Sequence, residues 1–205
     1  MPSAYFLDSA VVSIVSLARD GTSIEVSLVG DEGVIGLPIV MRSDGLPYRI
    51  IVQGPGTAWR MKADVLRKEF ERCGRLHELV LHYVHTLIVY LSQSSACNRF
   101  HTIQQRLCRW LLISQDRARS SDIKSTQEVL SQILGVNRGS ASQAASALQR
   151  AGLIRYRHGQ IAILDHSGLE AAACDCYRLV KGESDRFFRA PPTRPTADAK
   201  GSLHR

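Results

Sequence analysis

From Leu76 to about Ser114 the chain runs for nearly forty residues without a proline or a glycine. Nothing in that stretch is a strong helix breaker, so it reads as one long helix. Its apolar positions fall on two stripes, each stepping by three and four: Leu76, Val80, Tyr83, Leu87, Tyr90, and Leu81, Val84, Ile88, Leu91. A helix apolar over more than one face needs two coverings, and a chain of 205 residues has little core with which to surround so long an element. One face is therefore expected to cover a neighbouring domain. The other is expected to meet a second copy of itself, as in a coiled coil. The first stripe (Leu76, Val80, Tyr83, Leu87 and Tyr90) is assigned to dimerisation. Burial of the whole helix in a single large core is the competing reading.

Residues 5–61 carry β signals. Val11 to Leu17 is a β-rich run, and Ile24, Val26 and Leu28 alternate with Ser23, Glu25 and Ser27. Asp20-Gly21 between these runs signals a tight hairpin. Arg49–Val52 reads as a further strand, and Gly54-Pro55-Gly56 turns it into Thr57–Met61. Short strands with Gly and Pro turns imply a β-sandwich or barrel piece. Ala63–Arg72 reads as a short charged helix. After the long helix, Asp116–Lys124 is polar, charged and Ser-rich, suiting a linker or loop. The division predicted is 1–75 for a β sensor domain, 76–115 for the dimer helix, 116–189 for a second domain, and 190–205 for a disordered tail.

The net charge is +7, but it is unevenly placed. Residues 1–59 sum to −3 and residues 99–124 to +4, an asymmetry that fits a sensing part joined to an anion-binding part. Five cysteines (Cys73, Cys97, Cys108, Cys174 and Cys176) form no disulfide framework. No signal peptide is apparent, and the most apolar stretch, Leu79–Leu91, carries His82, His85 and Thr86, so a reduced, cytoplasmic protein is expected.

Residues 125–164 carry the function. A helix is predicted to start at Ser125 or Thr126, with Ser125 and Glu128 at capping-box spacing, and to continue through Val129, Leu130, Ile133 and Leu134. Gly135-Val136 ends it, Asn137 caps the next helix, and Gly152 stops that one. Leu153-Ile154 and Ile161–Leu164 pair around His158-Gly159. Helix, short Gly-containing turn and helix is the helix-turn-helix pattern, and the hairpin adds a wing. Ala141, Ala144, Ala145 and Leu148 allow close helix packing. On the other face, Arg138, Ser140, Ser142 and Gln143 stand at the end that enters the major groove, where Arg suits guanine and Gln suits adenine. Thr126, Gln127, Arg155 and Arg157 are assigned to phosphates, and Asn137 and His158 complete the predicted DNA-binding set. A final helix is predicted over Gly168–Val180.

These motifs resemble those of the Crp/Fnr family of bacterial transcription regulators. Residues Thr126 to Arg138 are similar to that family's helix-turn-helix opening, and Leu148 to Ile154 to its approach to the wing. Arg106 to Leu112 resembles the end of its dimerisation helix, and Val34-Ile35-Gly36-Leu37 the turn ahead of its ligand pocket. The resemblance implies an α+β fold: a partial jelly roll, shortened at its front, then a long dimerisation helix and a winged helix-turn-helix. It implies a homodimer on palindromic double-stranded DNA, with RNA polymerase as a further candidate partner and no membrane. Gly36-Leu37 and Tyr48-Arg49 stand where the family's cyclic-nucleotide binders carry Gly-Glu and Arg-Ser, so cyclic AMP is not expected. No cysteine precedes Cys73, so the family's N-terminal iron–sulfur centre is not expected either, and the effector stays open. Gly139 and Gln143 replace residues common in the family's recognition helix, which implies a different operator.

Two alternatives remain. A dimeric ligand-binding or protein-interaction module could use the helix pair only as scaffold. A jelly-roll enzyme would need histidine and carboxylate metal ligands, yet residues 1–60 contain no histidine, so no enzyme is expected. His82 with His85, and Cys97 with His101, have spacings that permit ligation, but packing accounts for them more simply. Cys174-Asp175-Cys176 would face two sides of a helix. No cofactor or metal is expected.

Overall fold

The structure, a computed structural model, describes residues 1–19, 23–43, 45 and 48–189; the Asp20-Gly21 turn and the 190–205 tail lie outside them. Six short strands build the front of the molecule: β1 Ser3–Leu7, β2 Val11–Leu17, β3 Ser23–Val29, β4 Val34–Ile35, β5 Tyr48–Gly54 and β6 Ala58–Lys62. They form two antiparallel three-stranded sheets in the orders β4-β1-β6 and β3-β2-β5. Ala4 and Leu7 of one sheet share an apolar core with Val12, Ile14 and Val29 of the other. A short helix, α1 (Leu37–Val40), follows β4, and α2 (Ala63–Glu71) leads to the long helical segment.

That segment is two helices, α3 (Arg75–Phe100) and α4 (Ile103–Ala118), not one. Thr102 makes the break. Its hydroxyl accepts from the Gln105 amide while the Gln105 side chain accepts from the Thr102 amide, a complete capping box at the start of α4. Lack of glycine and proline therefore does not mean continuity, because Thr102-x-x-Gln105 carries its own start signal.

The stripe assigned to dimerisation is turned inward. Val80 and Tyr83 are buried in the β-domain core with Leu76 and Leu87 packed against it, and Tyr90 is buried in the core shared with α4. The second stripe is the more open one: Leu81, Ile88 and Leu91 are 49%, 56% and 40% exposed, while Val84 is half-buried against the β-domain core. The two stripes lie side by side on the wheel, and only the position of the β-domain distinguishes them.

Two further expectations are corrected. Asp116–Lys124 is no linker: α4 runs through Ala118, and Asp122–Lys124 is a strand, β7, paired with the wing. The last helix is interrupted, as α7 (His166–Ala172), capped by Asp165, and α8 (Cys176–Arg189). α8 returns along α3, where Glu183 comes within 3.6 Å of His85.

Polar contacts join α4 to the β-domain. Arg117 pairs with Glu32 at 2.7 Å, both nearly enclosed, and also donates to the Leu28 carbonyl. The Trp110 indole donates to Glu25 at 2.9 Å, and the Ser13 hydroxyl donates to the same carboxylate. Burial pushes the Glu25 carboxyl up to about 7 against these hydrogen bonds and the nearby Arg117 and Arg109. Folded Glu25 thus keeps a proton that the unfolded chain has already lost. Stability is expected to fall as pH rises from the ordinary glutamate range to about 7, and to level off above it. Because the residue retains some exposure, the drop should be about 1–3 kcal/mol. Denaturant midpoints measured across that range should show it, and Glu25→Gln should flatten it; an equal slope in the variant would assign the effect elsewhere.

Candidate nucleic-acid interface

The C-terminal domain has one apolar core. Leu107, Leu111 and Leu112 from α4 meet Leu130, Ile133 and Leu134 from α5 (Gln127–Leu134) and Ala141, Ala144, Ala145 and Leu148 from α6 (Arg138–Arg150). The alanines let α6 lie close against its neighbours, as read from the sequence. Thr126 caps α5 by accepting from the Val129 amide, and Asn137 caps α6 by accepting from the Ser140 amide at 2.8 Å. Ser125, the other candidate cap, is buried instead. Its amide donates to the Gly159 carbonyl and its carbonyl accepts from the Tyr156 hydroxyl.

The turn between α5 and α6 depends on Gly135. Its φ of 60° lies in the left-handed region, and its amide and that of Val136 close onto the Gln132 and Ser131 carbonyls. A Cβ there would come within 2.7 Å of the Ile24 side chain, so β3 reinforces the need for glycine. The wing is β8 (Ile154–Arg157) and β9 (Gln160–Ile163), with β7 outside β9. His158 and Gly159 both take positive φ, the geometry of a two-residue hairpin. The Gln149 side chain accepts from the Tyr156 amide at 2.6 Å and holds the wing to α6.

Some of the expected residues are brought into contact with one another or with a neighbour. The wing tip abuts Thr126, since a Cβ at Gly159 would sit 3.4 Å from its methyl group. Gln127 donates to the Ser142 hydroxyl at 3.3 Å, and Arg138 pairs with Glu128 at 3.4 Å, both side chains exposed. Such an exposed pair is worth under about 1 kcal/mol and is readily exchanged for a stronger anion. Gln143, Arg155, Arg157 and His158 are exposed, while Ser140 and Ser142 are half-buried. Asn137 is occupied in capping, so its side chain is a poor base reader. Lys124, exposed two residues before Thr126, is missed by the sequence reading because its segment resembles a linker; its nearness to a helix cap was the available signal.

Residues 105–172 match the family description "Crp-like helix-turn-helix domain". No curated protein matches the chain. Among solved structures, the chain resembles a CRP-family transcriptional regulator from Thermus thermophilus with a TM-score of 0.71 and 19% identity, over 84% of this chain and 88% of that one. FixK2 from Bradyrhizobium japonicum gives 0.68 and 17% over the same shares, 84% and 88%. The c-di-GMP-responsive global regulator CLP of Xanthomonas campestris gives 0.66 and 15%, over 80% and 85%. At these identities the likeness is one of fold.

Proposed function

We propose that this chain, a DNA-binding transcription regulator of the Crp/Fnr type by its fold and its helix-turn-helix domain, binds palindromic operators as a homodimer. The observation that supports the reading is the set of contacts that put the wing tip against Thr126, Gln127 against Ser142 and Arg138 against Glu128, with Gln143, Arg155 and Arg157 exposed. The N-terminal turn of α6 enters the major groove, with Arg138 and Gln143 against base edges. The exposed pairing of Arg138 with Glu128 gives way to a guanine. Arg155, Arg157 and Lys124 hold the backbone on either side, and the amide of Thr126 lies at the start of α5, where a phosphate is favoured.

The dimer seam is Leu81, Val84, Ile88 and Leu91, whose three-four-three spacing is that of a coiled-coil core. It places two copies of α6 about 34 Å apart, one turn of DNA. RNA polymerase is the partner such a regulator would influence at a promoter, and the cytoplasm is where both would be met. No helix among the described residues is long and apolar enough to cross a membrane.

A salt titration of duplex binding tests the reading. Phosphate contacts predict a steep linear fall of log affinity with log salt, and flat or absent binding would favour the protein-interaction alternative. Arg155→Ala and Arg157→Ala should each lower the slope by about one and weaken all sequences alike. Arg138→Ala should cost about 1–3 kcal/mol on the specific site and relax preference at one base position. Unchanged specificity in Arg138→Ala would remove that residue from base reading.

A further inference from the structure

Two places far apart in sequence converge at one buried point. Cys97 lies in the last turn of α3 and His101 is the residue that ends it, while Cys174 lies in the joint between α7 and α8 and Cys176 opens α8. In the sequence the two pairs look unrelated, and a continuous helix would put Cys174 and Cys176 on opposite faces. The break at Ala173–Asp175 instead turns both thiols inward and leaves Asp175 exposed. One ligand atom from each of the four residues lies within 4.8 Å of all the others. All three thiols are buried, and the imidazole is half-buried.

We propose that Cys97, His101, Cys174 and Cys176 form a tetrahedral Cys3His site for a zinc(II) ion, a site separate from the DNA-binding surface. The distances fit this reading. Zinc–sulfur bonds of about 2.3 Å and zinc–nitrogen bonds of about 2.0 Å give tetrahedral edges of roughly 3.5–3.8 Å. The Cys97–Cys174 sulfur separation is 3.5 Å, and Cys176 Sγ to His101 Nδ1 is 3.6 Å. The sulfurs are too far apart for a disulfide, and the cysteines are free. The donor set also fits. Three soft thiolates and one imidazole suit zinc better than the hard cations, which take oxygen.

The charge balance has a partner as well. Zinc with three thiolates carries one net negative charge, which is costly to bury alone. The Arg109 guanidinium is buried and lies close enough to interact electrostatically with all three cysteines. Its Nε has no hydrogen-bond partner, and neither does that of Arg106 beside it. Binding joins the α3–α4 break to the α7–α8 break, so the ion clamps the dimer helix to the end of the DNA-binding domain. Formation releases the thiol protons to solvent and involves no oxidation.

The test uses the full chain, reduced and stripped of metal by a chelator. Titrated zinc should bind at one equivalent per chain. Cobalt(II) should give thiolate charge-transfer absorption and the intense ligand-field bands of a tetrahedral site. Cys174→Ser and Cys176→Ser should each weaken zinc binding by more than about a hundredfold, beyond what loss of an outer hydrogen bond causes. Cys73→Ser, at the exposed cysteine outside the cluster, should change nothing. The proposal is overturned if the reduced wild-type chain takes up no zinc, or if its cobalt spectrum is weak and octahedral. Unchanged affinity in Cys174→Ser overturns it too, as does a Cys97–Cys174 disulfide as the only chemistry of a protein that binds no metal. Stoichiometry and spectrum are read on the wild type, so a variant that fails to fold does not leave the question open.

Discussion

Ile88→Glu should give a folded monomer that has lost operator binding. Ile88 is 56% exposed on α3, so the substitution removes almost nothing from the core of the isolated chain. In the proposed dimer the same position lies on the seam, and two copies of it bring two carboxylates together out of water. Burying unpaired charge costs several kcal/mol, so dimerisation should weaken by about a thousandfold. A monomer presents one recognition helix and loses the cooperation of two half-sites. Sedimentation should report the change of mass while the far-ultraviolet circular dichroism spectrum, taken well below the melting temperature, shows the helix content retained. Tyr83→Ala should behave in the opposite way: its ring is buried against the β-domain, so it should lower the melting temperature, with any loss of dimer following from the fold. If Ile88→Glu remains a dimer and Tyr83→Ala becomes a folded monomer, the inward and outward stripes have been exchanged.

Leu130→Ala should be the most damaging substitution in the DNA-binding domain that touches no DNA. Leu130 is fully buried in α5, in a core that also contains Leu111, Ala141, Leu148 and Ile161. Truncating a leucine in such a site costs about 2–5 kcal/mol, the transfer term plus the cavity left behind. Because α5, α6 and the wing share that core, the surface presented to DNA loosens as one unit. Urea denaturation should show the loss, and specific binding should fall even under conditions where the proposed α3 dimer persists. A loss below about 1 kcal/mol would mean that the three elements do not share a packed core.

Much of the candidate interface was legible because its signals are local. Thr126, Asn137 and Gly135 each act within one helical turn, through a hydroxyl, an amide and a backbone that tolerates positive φ. The alanines of α6 mark close packing by size alone. His158-Gly159 declares its hairpin by the same local reasoning. The roles of Asn137 and Ser142 were less legible. Their side chains are engaged with the Ser140 amide and with Gln127, and which hydrogen bond a polar residue makes depends on what lies across from it.

The break at Thr102 was readable and is easily passed over. Thr102 and Gln105 form a start signal inside what looks like an unbroken helix, and absence of glycine and proline outweighs it. The segment 116–124 misleads for a different reason. A short polar edge strand has little pattern of its own, and β7 exists because β9 offers a partner.

The sequence by itself determined the helix pair with its caps and wing, the strand-rich front, and the presence of two apolar stripes on α3. These depend on period and on contacts within a few residues. Only the tertiary structure decided which stripe faces the β-domain, that Glu25 of β3 sits under Trp110 of α4, and that Cys97 and His101 meet Cys174 and Cys176. Each of those outcomes joins residues distant in the chain or chooses between two equally apolar faces. The packing of whole elements settles such choices, and no local pattern carries them.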